Sequence, residues 1–230
     1  MCIAPKGMKA LGSVARAAAQ RALVAKAAKR CMKKISTGGF GVIDLEKLHE
    51  QKSRFAFFAR QLMYPEKLDF HPDVWTEALT AGHPAHPSLQ KYWHLMQNYS
   101  FEQIEEMYVQ TFDFQKDTTL YMTFYKYEDS RERGALLVRL KQAYELFGLA
   151  IEGTELSDYL PLMCEFLYAA PWQGHEQQAA SSLDLMLAVM EDGTYHLLNA
   201  LEKADSPYFH LIKGLRETFK VCVIQEAPGK

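Results

Sequence analysis

The chain is poor in residues that interrupt helices. Its 230 residues include only 9 prolines and 13 glycines, and runs of Val, Ile and Thr are scarce. Leu, Ala, Met, Glu, Gln and Lys dominate instead; all are good helix formers, which argues against a strand-rich architecture and for an all-α fold. No apolar run approaches the roughly 20 residues that a membrane-spanning helix needs. Cysteine is sparse too: Cys2, Cys31, Cys164 and Cys222 form no Cys-x-x-Cys pair and fall at no zinc-finger spacing, the pattern of buried or free thiols in a reducing compartment. Gly-x-Ser-x-Gly, His-Glu-x-x-His and Cys/His nucleophile arrangements are missing.

Acid is missing from one end. Residues 1–34 carry nine Lys or Arg and no Asp or Glu, which leaves 17 basic against 28 acidic residues in 35–230, a net charge of −11 for the body. An acidic body argues against general nucleic-acid binding and suits a partner that carries positive charge. The opening 34 residues are Ala-rich and basic, but Arg16, Arg21 and Lys26 interrupt the apolar core that a secretory signal requires. An organellar transit peptide, a nucleic-acid or membrane-surface arm, and an upstream misreading of a start at Met32 all fit this composition, and each places residues 1–31 outside the fold.

What is present reads as helix. With 48% hydrophobic and 12% aromatic residues, the chain can build one domain with a substantial core. "STGGFG" at 36–41 is a joint; it has neither a preceding strand nor a Lys-Ser/Thr ending, so it is not a phosphate loop. From Asp44, Leu45, Leu48, Phe55, Phe58, Ala59 and Leu62 recur at helical spacing until "YP" at 64–65. Short helices are expected at 73–81 and 88–97, with "GHPAHP" as the loop between them. Two histidines there, His83 and His86, lack an evident third ligand for a metal. Ser100 and Gln103 form a capping box for the next helix. Residues 120–127 alternate in part, but no second strand is evident to pair with them, so a helical segment is expected. Further helices are expected at 130–147, with Gly148 as the stop, and at 175–191, 193–203 and 206–220. The sum is a single all-α domain of about eight to ten helices over residues 44–222, preceded by a basic extension (1–43) and followed by a tail (223–230).

One stretch, "ELSDYLP" at 155–161, gathers the candidate chemistry. Glu155 and Asp158 lie three apart, a spacing that would place two carboxylates on one helical face for cation binding or acid–base work. A di-metal bundle would need a pair of Glu-x-x-His motifs projecting inward, and the chain has no such pair. Pro161 favours a helix that starts just before it, with Asp158 as cap or first-turn acid. That arrangement would expose acid beside an aromatic edge, a surface suited to a basic amphipathic peptide. In "EDSRERG" at 128–134, Asp129 or Ser130 is a helix cap, and Arg131 and Arg133 either face solvent or fix the wall of a groove.

Three segments together resemble the NarJ branch of the TorD-like chaperones, the nitrate reductase molybdenum-cofactor assembly proteins. They are "YVQTFD" at 108–113, the aromatic run that ends in "EDSRERG", and "GLAIEGTELSDYLPL" at 148–162 leading to "EFL". The family usually has Glu-x-Pro-Asp where this chain has Ser157 in the proline position, and the basic extension has no place in the family pattern. The resemblance implies a TorD-like helical bundle that is not an enzyme. It implies a cytoplasmic chaperone that binds the N-terminal segment of the apo catalytic subunit of respiratory nitrate reductase. Such a chaperone assists insertion of molybdopterin guanine dinucleotide before membrane attachment, without binding the cofactor stably. No metal, nucleic acid or stable membrane association is implied, and a monomer is expected. The peptide-binding residues expected on this basis are Phe112, Asp113, Phe114, Tyr121, Tyr125, Arg131, Arg133, Glu155, Asp158 and Tyr159. The aromatics would make apolar contacts, Glu155 and Asp158 would meet basic client residues, and Arg131 and Arg133 would order the wall. The competing readings are a chaperone for another molybdoenzyme, a helical metal-dependent enzyme using Glu155 and Asp158, and a DNA-binding regulator using the basic arm.

Overall fold

The computed structural model describes residues 8–10, 43–172 and 176–223. The chain begins its helical body with α1 (Leu45–Glu50), whose Asp44 side chain accepts from the Lys47 amide and caps the first turn. α2 (Lys52–Leu62) follows almost without a break. A 3-10 turn at Lys67–Phe70 leads to α3 (Pro72–Ala78), which places Pro72 in its first turn, where the missing N–H costs nothing. α4 (His86–Met96) and α5 (Phe101–Phe112) come next; α5 opens on the reciprocal Ser100/Gln103 capping box. After a second 3-10 turn at Lys116–Thr118, the one-turn α6 (Phe124–Tyr127) and the longer α7 (Arg131–Leu146) lead to α8 (Leu160–Ala169), α9 (Glu176–Lys203) and α10 (Tyr208–Val221). Ten α-helices among the described residues make an all-α fold.

The packing centre is α2 against α8. Residues 160–167 of α8 are all buried, apolar apart from Glu165, so this helix lies inside the molecule rather than on its surface. Phe55 and Phe58 of α2 meet this layer, and Phe55 also stacks on Phe219 of α10 with centroids 5.7 Å apart. α10 packs on α4 and α9. At the α4–α10 crossing, a Cβ on Gly214 would come 2.8 Å from a Leu89 methyl, so glycine permits the close approach. Trp75, Tyr92 and Tyr208 fill the space between these helices and are 1% exposed or less. The Lys52 ammonium donates to the Ala170 carbonyl at the end of α8 (2.7 Å) and covers the Trp172 ring; burial lowers its pKa. Cys164 and Cys222 are buried free thiols, and burial raises both, Cys222 to about 12. Ile43 and Val223 form a bridge, so the two ends of the helical body meet.

Three expectations from sequence are corrected. α9 runs unbroken through residues 191–193, where a break was expected. Gly193 sits where Met122 presses on the helix; a Cβ there would stand 2.7 Å from Met122 Cβ and its carbonyl oxygen. The glycine serves close packing, not chain reversal. Second, Met8–Ala10 of the basic extension forms strand β1, antiparallel to β2 (Leu149–Ile151), with Met8 opposite Ile151 and Ala10 opposite Leu149. The backbone edge offered by β2 after the Gly148 turn accounts for it. The rest of the extension, the 36–41 joint and the tail from 224 lie outside the described residues. Third, residues 120–122 form a bridge rather than a helix, and their partner is "ELSDYLP" itself; the helix starts only after Thr123.

Candidate functional site

α5 ends at Phe112 with Asp113 as its C-cap, and the chain turns through residues 116–118, where the Thr118 hydroxyl donates to the Thr111 carbonyl. It then runs extended alongside residues 158–160. The Met122 amide donates to the Asp158 carbonyl at 2.9 Å and the Leu160 amide to the Leu120 carbonyl at 2.8 Å, which sets Tyr121 directly opposite Tyr159. Cross-strand neighbours on one face lie in side-chain contact, and these two rings stand 5.4 Å apart.

Behind this pair lies a buried polar knot. Asp158 is fully buried, and its Oδ2 accepts from the Thr123 amide (3.1 Å), the Thr123 hydroxyl (2.5 Å) and Arg133 Nη2 (3.3 Å). Arg133 also donates through Nε to the Thr123 hydroxyl at 3.1 Å, and its guanidinium lies over the Phe124 and Tyr121 rings. Ser157 donates to the Leu137 carbonyl at 2.7 Å, and the Tyr144 hydroxyl donates to the Ser157 carbonyl at 2.8 Å. The residue at the family's proline position thus pins the loop to α7 rather than loosening it.

The polar knot presents a row of tyrosines. Tyr159 Oη lies 3.4 Å from Tyr108 Oη, and the Tyr108 ring meets Tyr64 edge to face at 5.6 Å. The row has acid at both ends: Tyr64 donates to Glu105 at 3.3 Å and Tyr121 to Glu155 at 2.9 Å. Burial raises the pKa of Tyr159 and Tyr108, and the Asp113 carboxylate adds to both, as it does to Tyr64. Tyr121 is raised by burial first and then by its bond to Glu155. The tyrosines therefore stay neutral donors beside Glu105, Asp113 and Glu155. Among the described residues no lysine or arginine is paired with these three acids. Tyr108 is itself core, 4% exposed, and its hydroxyl donates to the Leu62 carbonyl, so Tyr64, Tyr121 and Tyr159 are the accessible members of the row; such a face can stack against apolar side chains and attract cationic ones.

The residues expected from sequence divide accordingly. Tyr121, Tyr159 and Glu155 come together in the row, with Asp113 near it; Phe114, at 72% exposure, follows the end of α5. Phe112 is core, 5% exposed, packed on Tyr108 and Tyr208. Tyr125 faces α9 instead, stacked on His196 at 3.7 Å. Arg131 is exposed on the first turn of α7, whereas Arg133 orders the wall from inside. Asp158 neither caps α8, whose N-cap is Tyr159, nor reaches the surface; its full burial removes it from direct contact with a peptide. Sequence reasoning missed Tyr64 and Glu105. "YP" at 64–65 read only as a helix stop, although an aromatic at an exposed helix end and a glutamate one turn before Tyr108 were available as signals.

A metal centre finds no support among the described residues, where no group of three or more His, Cys, Asp or Glu is placed to hold an ion. One Glu-x-x-His spacing does occur, Glu46 and His49 on α1, without a second. No helix among the described residues is long and apolar enough to cross a membrane.

Comparison with known proteins gives a consistent set. The family described as nitrate reductase delta subunit matches residues 77–212. A Bacillus subtilis protein named as a probable nitrate reductase molybdenum cofactor assembly chaperone, NarJ, is 39% identical over 131 residues, covering 56% of this chain and 66% of the relative. Two Escherichia coli K12 proteins are also similar. Its probable assembly chaperone NarW is 27% identical over 155 residues, 66% of this chain and 62% of the relative. Its NarJ is 36% identical over 67 residues, 29% of this chain and 28% of the relative. The chain therefore spans just under two thirds of the length of the first two relatives.

Proposed function

The chain belongs to the nitrate reductase delta subunit family, and from that membership we propose that it is an assembly chaperone, not an enzyme, for a nitrate reductase. Its client is the catalytic subunit, bound through a basic amphipathic segment at the N-terminus. Binding holds the apo-subunit receptive while its molybdenum cofactor, molybdopterin guanine dinucleotide, is inserted and before the subunit attaches to the membrane. The chaperone acts in the cytoplasm as a monomer and does not retain the cofactor, which is cargo of the client.

The observation that carries this reading is the tyrosine row bounded by Glu105 and Glu155. Apolar ring faces supply contact area with few rotatable bonds, and flanking carboxylates steer and orient a basic segment. The row is also mounted on a rigid base, because Tyr121 and Tyr159 are paired through their backbones and backed by the Arg133–Asp158 contact. A preorganised face loses little side-chain freedom on binding. Because the finished enzyme must leave, affinity is expected to be moderate, about micromolar.

Calorimetric titration of the chain with a peptide copying the N-terminus of the catalytic subunit encoded in the same genome tests the proposal. Saturable one-to-one binding that weakens with salt supports it. A folded chain that binds neither this peptide nor the apo-subunit rejects it. Tighter binding to the leader of another molybdoenzyme would reassign the client within the same class of chaperone.

A further inference from the structure

The basic extension is tied to the body at one place. Its residues Met8–Ala10 form β1, which pairs antiparallel with β2, Lys9 standing opposite Ala150. β1 also lies beside α8. β2 is followed at once by Glu152 and, after the turn at Gly153, by Glu155 of the tyrosine row. The antiparallel register sets Met8 opposite Ile151, the end of β2 nearer these acids. Two paired strands with no third are marginally stable at best, so this contact opens at low cost.

What is tied there has the charge that the row attracts. Residues 1–34 carry nine Lys or Arg and no Asp or Glu, and they contain no Phe, Tyr or Trp. The arm therefore matches the acids of the row but brings no ring to stack on its tyrosines. The β1–β2 pairing also limits the distances involved. From Ala150 to Glu155 the chain spans at most about 18 Å, and from Lys9 to Arg16 at most about 25 Å. Groups tethered within such a reach meet at an effective concentration of about millimolar. That suffices for a weak internal ligand to compete with a client that binds at about micromolar affinity.

We propose that the basic arm is an internal competitor for the client. Clipped to β2 through Met8–Ala10, it neutralises the acids of the tyrosine row until a client segment displaces it. The inference rests on the peptide-binding reading above and adds regulation to it. A client segment that combines basic residues with large apolar ones displaces the arm, because it gains the ring contacts that the arm lacks. A segment that is merely basic gains nothing over the arm and is held off, so the arm sharpens selection as well as lowering affinity.

The test uses the full chain and a fluorescent peptide copying the N-terminus of the catalytic subunit, read by anisotropy. One variant replaces all nine Lys and Arg of residues 1–34 by Gln. A second carries Met8→Pro with Lys9→Pro; consecutive amides of a strand point to opposite sides, so one of the two prolines removes a donor that faces β2. Both should bind the client peptide about threefold to tenfold more tightly than the native chain. A synthetic peptide of residues 1–34, added at up to about 1 mM, should displace the client peptide from the first variant, and its Gln-substituted version should not. Unchanged or weaker affinity in the first variant, or no displacement by the synthetic arm, overturns the competitor and leaves the client reading standing. Unchanged affinity in the proline variant alone overturns the clip through β1. No binding by the native chain or by either variant overturns the client reading as well.

Discussion

The interior of this protein is held together in two different ways. Where α2 meets α8, the contact is mainly apolar: residues 160–167 are buried, Glu165 being the one charged residue among them, and Phe55, Phe58 and Phe166 are 0% exposed. Behind the tyrosine row, the contact is polar: Thr123, Arg133 and Asp158 are all buried and bond to one another through Asp158 Oδ2, while Asp158 Oδ1 has no hydrogen-bond partner. The apolar layer tolerates small shifts because dispersion and burial have little direction. The polar knot does not, because each bond depends on its geometry. The layer that gives stability is therefore separate from the knot that fixes the position of Tyr121 and Tyr159.

The sharpest way to break this comparison is to remove one partner of the buried pair. Asp158→Ala leaves Arg133 buried without its carboxylate and should cost about 3–5 kcal/mol in urea unfolding. Replacing both, as Arg133→Met with Asp158→Leu, should cost less than the single change, since no charge is left unpaired. Leu167→Ala in the apolar layer should cost about 2–5 kcal/mol, and there a second truncation alongside should add to the loss rather than relieve it.

A smaller effect is expected where the two regions touch. Gly193→Ala forces a methyl within 2.7 Å of Met122, next to Thr123, and should cost about 1–3 kcal/mol while weakening peptide binding through the shifted Tyr121. Ser157→Ala removes the bond to the Leu137 carbonyl and should cost about 1 kcal/mol by the same assay.

The mildest effect belongs to neither region. His83 Nδ1 accepts from the Ala85 amide at the start of α4, and burial, with the Arg54 charge second, lowers its pKa to about 4. Between there and the ordinary value near 6.5, the unfolded chain takes up a proton that the folded chain refuses. Stability from this group is full above about pH 6.5 and is lost as pH falls toward about 4. His83→Gln should flatten the change in urea midpoint between those limits; an unchanged slope would assign the pH dependence elsewhere.

The two regions also differed in legibility. Apolar periodicity with Pro161 showed α8, and "S-x-x-Q" showed the start of α5, because those signals are local. The break expected near residue 192 was misplaced because Gly193 answers to Met122, 71 residues earlier in the chain. The pairing of residues 120–122 with 158–160 was invisible for the same reason: neither segment looks like a strand until the other is beside it. Asp158 was expected to meet basic client residues, whereas it is fully buried against Thr123 and Arg133, since spacing shows a carboxylate near a helix start and cannot show which way its side chain turns. Tyr64 and Glu105 were missed because their partnership exists only in the folded chain.

The central claim is that the acids around the tyrosine row, and not the buried knot, meet the client. The direct measurement is calorimetric titration of the catalytic-subunit peptide into the native chain and into Glu105→Gln/Asp113→Asn/Glu155→Gln, with urea unfolding of both. The acids are at the surface, so stability should change by no more than about 0.5 kcal/mol, while affinity should fall at least about tenfold with a shallower salt dependence. Equal affinity and equal salt dependence in the two proteins would contradict the account and place the client's binding surface elsewhere on the molecule.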